Sequence, residues 1–387
     1  MRKDFLQSMS RRQHAWSMTG FCLMAVILSA GLIQEIHIPR KRPPALSMDM
    51  TIKQIAPRLG VTGKSLAREL GLPLDVNKNK PLKETGIHRK TFEHVAKHLL
   101  GHRSSPLKYY LFAIFVLWGW LFLARIGRPD NMELKQRRRW YPKACYLIPL
   151  ILSVTVAGFL LGKSPNPMEG AVKVFKSMVG LYPDVWKKIA AFAFFFLLGV
   201  VGNKLICGWA CPFGALQELI YTLPFFKKIK PHKLPFAVTN TIRGTLFLSM
   251  LLILFGVVGS KKGFVIYHYI NPFNLFNLDF ETASSLITVI AAIGVGLFFY
   301  RPFCQFICPF GLLSWMVERL SLYRVTVDTE ACTHCGACVK ACPLPAMEGR
   351  LGEKQFPADC FSCGRCLNAC PVDAIRYESV LKSSPKG

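Results

Sequence analysis

Residues 332–343 read Cys-Thr-His-Cys-Gly-Ala-Cys-Val-Lys-Ala-Cys-Pro, and residues 360–371 read Cys-Phe-Ser-Cys-Gly-Arg-Cys-Leu-Asn-Ala-Cys-Pro. Each is a Cys-x2-Cys-x2-Cys-x3-Cys-Pro run, the spacing that holds an iron–sulfur cube. Three thiolates on one tight loop reach three corners of a cube, and the fourth ligand crosses over from the other run. The spacing therefore predicts one [4Fe-4S] cluster on Cys332, Cys335, Cys338 and Cys370, and a second on Cys360, Cys363, Cys366 and Cys342. Zinc is the alternative occupant, but zinc favours Cys-x2-Cys pairs at longer separation. His334, inside the first loop, is expected to face solvent. Arg324–Val327 and Ala374–Tyr377 flank the runs and suit short strands, so residues 323–387 are expected to form an α+β domain. The stretch 344–359 reads as an inserted loop.

Working towards the N-terminus, two shorter motifs match each other. Cys207-Gly-Trp-Ala-Cys211-Pro212-Phe213-Gly214 is echoed by Cys304-Gln-Phe-Ile-Cys308-Pro309-Phe310-Gly311, and an Asn-Pro pair precedes each, at 166–167 and 271–272. Cysteines at i and i+4 share one helical face, and the proline ends one turn or starts the next helix. Four thiols on two related hairpins could form one metal or redox site from Cys207, Cys211, Cys304 and Cys308. An iron–sulfur centre, a mononuclear iron or zinc would each fit, and structural thiols in a helix break are the plainer alternative. These motifs account for twelve of fourteen cysteines. The other two, Cys22 and Cys145, read as helix filler, since free Cys packs as a small hydrophobe.

The rest of the composition places these motifs. Of 387 residues, 51% are apolar and 18% charged, and the mean hydropathy is +0.30. That excludes a disordered chain and is far from the charge content of an ordinary soluble domain. Lys and Arg outnumber acids by 49 to 22. In an apolar chain this excess points to basic cytoplasmic loops rather than to nucleic acid. Six apolar stretches, near 16–38, 107–126, 144–162, 189–206, 236–258 and 284–300, approach the ~20 helical residues that cross a bilayer. An α-helical integral membrane protein of about six transmembrane helices, with a parallel two-hairpin repeat, is the expected fold class. Arg243 falls near one end of the fifth stretch, where it is expected to snorkel. Fifteen basic residues in the tail and alternate loops face seven in the opposite short loops. Both termini are therefore expected in the cytoplasm. Stretches 215–226 and 312–322, with Gln217, Glu218, Glu318 and Arg319 on one side, read as helices lying in the interface.

The expected division is a tail and uncleaved anchor helix over 1–38, a small helical extracytoplasmic domain over 39–106, a membrane domain over 107–322 and the cysteine-rich domain over 323–387. Within 39–106, Gly60–Leu66 is echoed by Gly86–Phe92, each copy reading as helix, glycine turn and helix. Gly63-Lys64-Ser65 resembles the end of a phosphate loop, but Arg58 stands where that motif needs glycine. The first copy also resembles a DNA-binding helix-turn-helix, yet its expected place outside the membrane argues against a nucleic-acid partner. On the same outer side, Glu169 and His268 sit among aromatic residues and could contact a quinol headgroup and accept its protons; interface anchoring and loop capping is the plainer reading.

With the twelve motif cysteines in view, residues 107–377 resemble the NapH/NosR/CcoG-type (YccM-like) membrane polyferredoxins. The resemblance implies a bacterial inner membrane and a C-terminal two-[4Fe-4S] ferredoxin domain in the cytoplasm. It also implies electron transfer between those clusters and a quinone, quinol or periplasmic redox partner, with a membrane or periplasmic reductase and a cytoplasmic donor as partner proteins. No general acid–base or nucleophile constellation is visible, so an electron-transfer component is expected rather than a self-sufficient enzyme. Two other functions stay open: copper or iron reduction or insertion during oxidase or reductase assembly, as the CcoG-type resemblance suggests, and a redox-sensing membrane regulator.

Overall fold

The computed structural model describes residues 46–101 (except 60, 62, 74 and 75), 107–126, 143–181, 185–223, 232–258, 264–278, 280, 283–352 and 358–380. The expected anchor at 16–38, with Cys22, and the basic stretch 127–142 lie outside these residues. Helices α1 (Ile52–Leu59), α2 (Gly63–Glu69) and α3 (Arg89–Gly101) form a small unit with its own core of Ile52, Ile55, Leu66, Leu82 and Phe92. Thr51 and Gln54 exchange the two bonds of a capping box at the start of α1, Thr51 Oγ1 accepting from the Gln54 amide and Gln54 Oε1 from the Thr51 amide.

The helical half follows. It consists of α4 (Leu107–Ile126), α5 (Lys143–Leu152) continuing as a π-helix through Ser153–Leu160, α6 (Pro167–Met178), α7 (Val185–Val201), a π-turn at Ile206–Ala210, α8 (Pro212–Thr222), α9 (Phe236–Leu254), α10 (Ile266–Tyr269), α11 (Ala283–Gly296), α12 (Pro302–Phe306) and α13 (Pro309–Met316). Two of these, α4 and α9, are long and apolar enough to cross a membrane; Ala144–Leu160 and α11 are shorter apolar helices. Two observations depart from the six expected spans. The fourth stretch ends as a helix at Val201, and Asn203 and Lys204 then take left-handed backbone conformations. A further helix, α6, occupies what reads in sequence as an outer loop. Its polar residues lower its hydropathy, but Met168, Ala171, Val172 and Val174 still form a buried face. The Asn-Pro pairs find a local explanation. Asn166 caps α6 by accepting from the Glu169 amide at 2.8 Å, and Asn271 accepts from the Phe273 amide at 3.1 Å, each with proline at the next position.

The C-terminal unit is built between two strands, β1 (Tyr323–Val327) and β2 (Ile375–Ser379), paired antiparallel with Val325 opposite Tyr377. Between them lie α14 (Ala337–Ala341), α15 (Ala346–Leu351), inside the expected loop insertion, and α16 (Arg365–Ala369). This unit shares one continuous apolar core with the helical half. Trp120 of α4 meets Tyr323 edge-on at 5.8 Å.

Candidate iron–sulfur sites

The two long cysteine runs adopt the same backbone shape. His334 and Ser362, one before the second cysteine, and Gly336 and Gly364, one after it, all have positive φ. Such a turn aims successive amides at one point, a fixed partial positive charge suited to sulfur anions. The Ala337 amide reaches the Cys335 sulfur and the Arg365 amide the Cys363 sulfur. One cavity is walled by Cys342, Cys360, Cys363 and Cys366, and another by Cys332, Cys335, Cys338 and Cys370. The crossed grouping expected from the spacing is thus the grouping in which the chain brings these side chains together. Among the described residues, no three His, Cys, Asp or Glu side chains close tightly enough to hold a single ion. An open cavity with four sulfurs on its wall suits a cube better than one small cation. The two sets differ in environment. Cys335 and His334 are exposed, and the amide beside Cys335 holds its thiol below the ordinary range. Burial pushes Cys363 up to about 12.

The wall of the cavity lined by Cys342, Cys360, Cys363 and Cys366 includes Tyr300 of the helical half. Cys207, Cys211, Cys304 and Cys308 lie within electrostatic reach of one another, so the two short motifs converge. Gln217 of α8 ties them together. Its Nε2 donates to the Cys304 sulfur at 3.3 Å, and its Oε1 accepts from the Phe303 amide at 3.0 Å. The π-turn that carries Cys207 is closed by the Cys211 amide on the Ile206 carbonyl at 2.7 Å. Such wide turns mark functional places in helices.

Sequence reasoning missed the charges around these thiols. Lys204 and Arg301 each stand three residues before the first cysteine of their motif, both left-handed and both fully buried. Each reaches across to the other motif. Lys204 donates to the Gly311 carbonyl at 3.3 Å, and Arg301 to the Cys207 and Gly208 carbonyls at 2.5 and 3.0 Å. Arg243, expected to snorkel, is instead wholly buried, donating to the Cys304 carbonyl at 3.0 Å and paired with Asp359 at 3.0 Å. A carboxylate from the C-terminal unit outweighs any gain from reaching solvent. Asp359 also pairs with Lys204. Burial works against the Asp359 carboxylate, but Arg243 and Lys204 outweigh it and hold its pKa below the ordinary value. Glu218 pairs with Arg301 at 3.0 Å and with Arg365 at 2.5 Å. Glu318 pairs with Arg350 at 3.1 Å. Gln217, Glu218 and Glu318, expected on an interfacial face, are therefore buried in this network. The repeated cation before Cys-x3-Cys-Pro was the sequence signal available for it.

The two outer candidates remain on separate segments. Glu169 sits on α6, ion-paired with Lys173 at 2.7 Å. Burial raises its pKa, but Lys173 prevails and the value is pushed down to about 2. His268 lies on α10, edge-on to Tyr269 at 5.8 Å. Lys163 links the two segments, its amide donating to Asn277 at 2.8 Å and its ammonium to Asn274 at 3.2 Å.

Comparison with known proteins agrees with the cysteine geometry. A 4Fe-4S binding domain matches twice, at residues 189–231 and 282–324, each match enclosing one Cys-x3-Cys-Pro motif. A 4Fe-4S dicluster domain matches residues 324–371. The chain is 27% identical over 186 residues to the putative electron transport protein YccM of Escherichia coli, covering 46% of this chain and 52% of that one. It is 25% identical over 233 residues to the ferredoxin-type protein NapH of Haemophilus influenzae, covering 58% and 77%. With the regulatory protein NosR of Pseudomonas aeruginosa it shares 28% over 169 residues, covering 41% of this chain and 23% of NosR. The match thus spans about half of YccM and under a quarter of NosR. No solved structure matches. The resemblance carried by the motifs holds along the sequence, and this chain is a 4Fe-4S protein related to YccM, NapH and NosR.

Proposed function

We propose that this chain is a membrane electron-transfer protein with three redox sites in series. Cys332, Cys335, Cys338 and Cys370 hold one [4Fe-4S] cluster, Cys360, Cys363, Cys366 and Cys342 hold a second, and Cys207, Cys211, Cys304 and Cys308 hold a third iron–sulfur centre between the two short motifs. When bound, these groups supply one-electron storage. The exposure of Cys335 and the burial of the Cys360–Cys366 run support this order. The exposed Cys335 end meets a cytoplasmic donor, and the Cys360–Cys366 end abuts the helical half, beyond which lies a quinol or a periplasmic redox protein. Glu169 and His268 are the candidate quinol contacts. Of the two, Glu169 is held ionised by Lys173 and so is a weak proton acceptor. Six spans, including 16–38, and cytoplasmic termini complete the topology.

The observation that carries the third centre is the convergence of the two short motifs: Cys207, Cys211, Cys304 and Cys308 lie within electrostatic reach of one another, and Gln217 ties the motifs together. Among the described residues, Lys204, Arg243 and Arg301 surround these thiols and are met by Glu218, Glu318 and Asp359. Arg350 and Arg365 face Cys360 and Cys363 instead, where the thiolates of the second set would compensate them. Iron and acid-labile sulfide per chain, measured on anaerobically purified protein, test this. Wild type should hold about twelve irons, and a Cys207→Ser/Cys304→Ser variant about eight. Eight in both would remove the third centre and favour a thiol or metal-handling role.

A further inference from the structure

The equivalent motifs differ at the residue after the leading cysteine, Gly208 in the first and Gln305 in the second. Gln305 is buried and spends its amide on the Tyr300 carbonyl. At Gly208 a β-carbon would collide with the backbone carbonyl of Phe361. Gly208 therefore admits the C-terminal unit to direct backbone contact with the first motif. The contact is locked on several sides. Trp209 Nε1 donates to the Ser362 carbonyl at 3.1 Å. Ser362 Oγ donates to the Asn203 carbonyl at 2.5 Å, and Tyr377 Oη to the Gly202 carbonyl at 2.9 Å.

Phe361 stands at the centre. Its ring lies 5.4 Å from the Lys204 ammonium and 5.1 Å from the Arg301 guanidinium, so cations from both motifs flank it. The same residue walls the cavity of Cys342, Cys360, Cys363 and Cys366. It thus lines the second cysteine set and at the same time touches the loop bearing Cys207.

We propose that the Phe361–Gly208 contact is the electronic junction between the two halves, so that electrons cross on the Cys207 side of the inner cysteine set and not on the Cys304 side. This rests on the three-site reading above. One electron crosses, oxidising the C-terminal side by one and reducing the inner side by one; no bond breaks and no proton moves. Gly208 and Phe361 are positioning residues in this step, since neither binds the redox groups.

The test uses the full chain in detergent with Gly208→Ala, Phe361→Leu and, as control, Gln305→Ala. Three quantities are read: iron and sulfide content, magnetic broadening between the reduced centres by EPR, and the rate of electron equilibration after flash reduction. Gly208→Ala should keep its iron and sulfide while broadening falls and the rate drops at least ~10-fold, as ångström-scale misplacement commonly costs. Phe361→Leu should keep the broadening, because the backbone contact survives, and still slow the rate. Gln305→Ala should match wild type in all three. Wild-type broadening and rates in both Gly208→Ala and Phe361→Leu would overturn the junction, as would a Gln305→Ala rate slowed as much as theirs. An iron count of about eight in wild type would instead overturn the reading beneath it, with the junction falling as a consequence.

Discussion

Asp359 carries two cations at once, Lys204 and Arg243, in a place water does not reach. Asp359→Asn would leave Lys204 with the Gly311 carbonyl, the Phe361 ring and the more distant Glu318, and Arg243 with the Cys304 carbonyl and Asn240 Oδ1; it should cost about 3–5 kcal/mol, as breaking a buried pair does. A lowered thermal midpoint of the purified protein would register it. The pH dependence has a definite sign. Because the folded pKa lies below the ordinary 3.8, this contribution is complete above that pH and is lost as pH falls through the lowered value. The stability difference between wild type and Asp359→Asn should therefore hold steady from neutrality to about pH 5 and shrink only under stronger acid. Packing is as unforgiving at Gly119, whose β-carbon would sit 2.6 Å from the Trp209 ring. Gly119→Ala should destabilise by about 1–3 kcal/mol, read in the same melt. Neither residue was conspicuous in the sequence. An aspartate before a cysteine run and a glycine in an apolar helix gain their meaning only from chain segments some 90 to 155 positions away. The cysteines were conspicuous because cluster ligation is local, with three of every four ligands inside seven residues.

Among elements, the two cysteine loops have one backbone shape and unequal exposure. The loop at 332–338 opens to solvent at Cys335, whereas the loop at 360–366 is pressed against the helical half. Iron should therefore leave in two stages under a membrane-impermeant chelator after mild oxidation, the first four atoms from the 332–338 loop. A single-phase loss would contradict that ordering. The strands were legible because Val325, Val327 and Tyr377 alternate with polar neighbours. The helix α6 was not, since Glu169, Lys173 and Lys176 disguise its apolar face in a hydropathy average. Expectation and structure part most clearly at α8 and α13. Amphipathic spacing shows that a helix has a polar side, and only tertiary packing shows whether that side meets water or, as for Glu218, two arginines.

For the whole molecule, the placement of the two ends is the property to test. An alkaline phosphatase fusion after Thr85 should be active and one after Gly387 inactive, as basic loops facing the cytoplasm require. The reverse pattern would overturn the topology. The ion network also has a consequence in time. Lys204, Arg243 and Arg301 emerge from the ribosome long before Asp359 and Arg365, and neither proposed ligand set is complete until Cys366 and Cys370 have been made. The segment made early thus waits, charged and unfinished, for one made later. A stop codon just upstream of Asp359 would strand that intermediate, giving quality-control proteases a substrate that the longer chain withdraws as it folds.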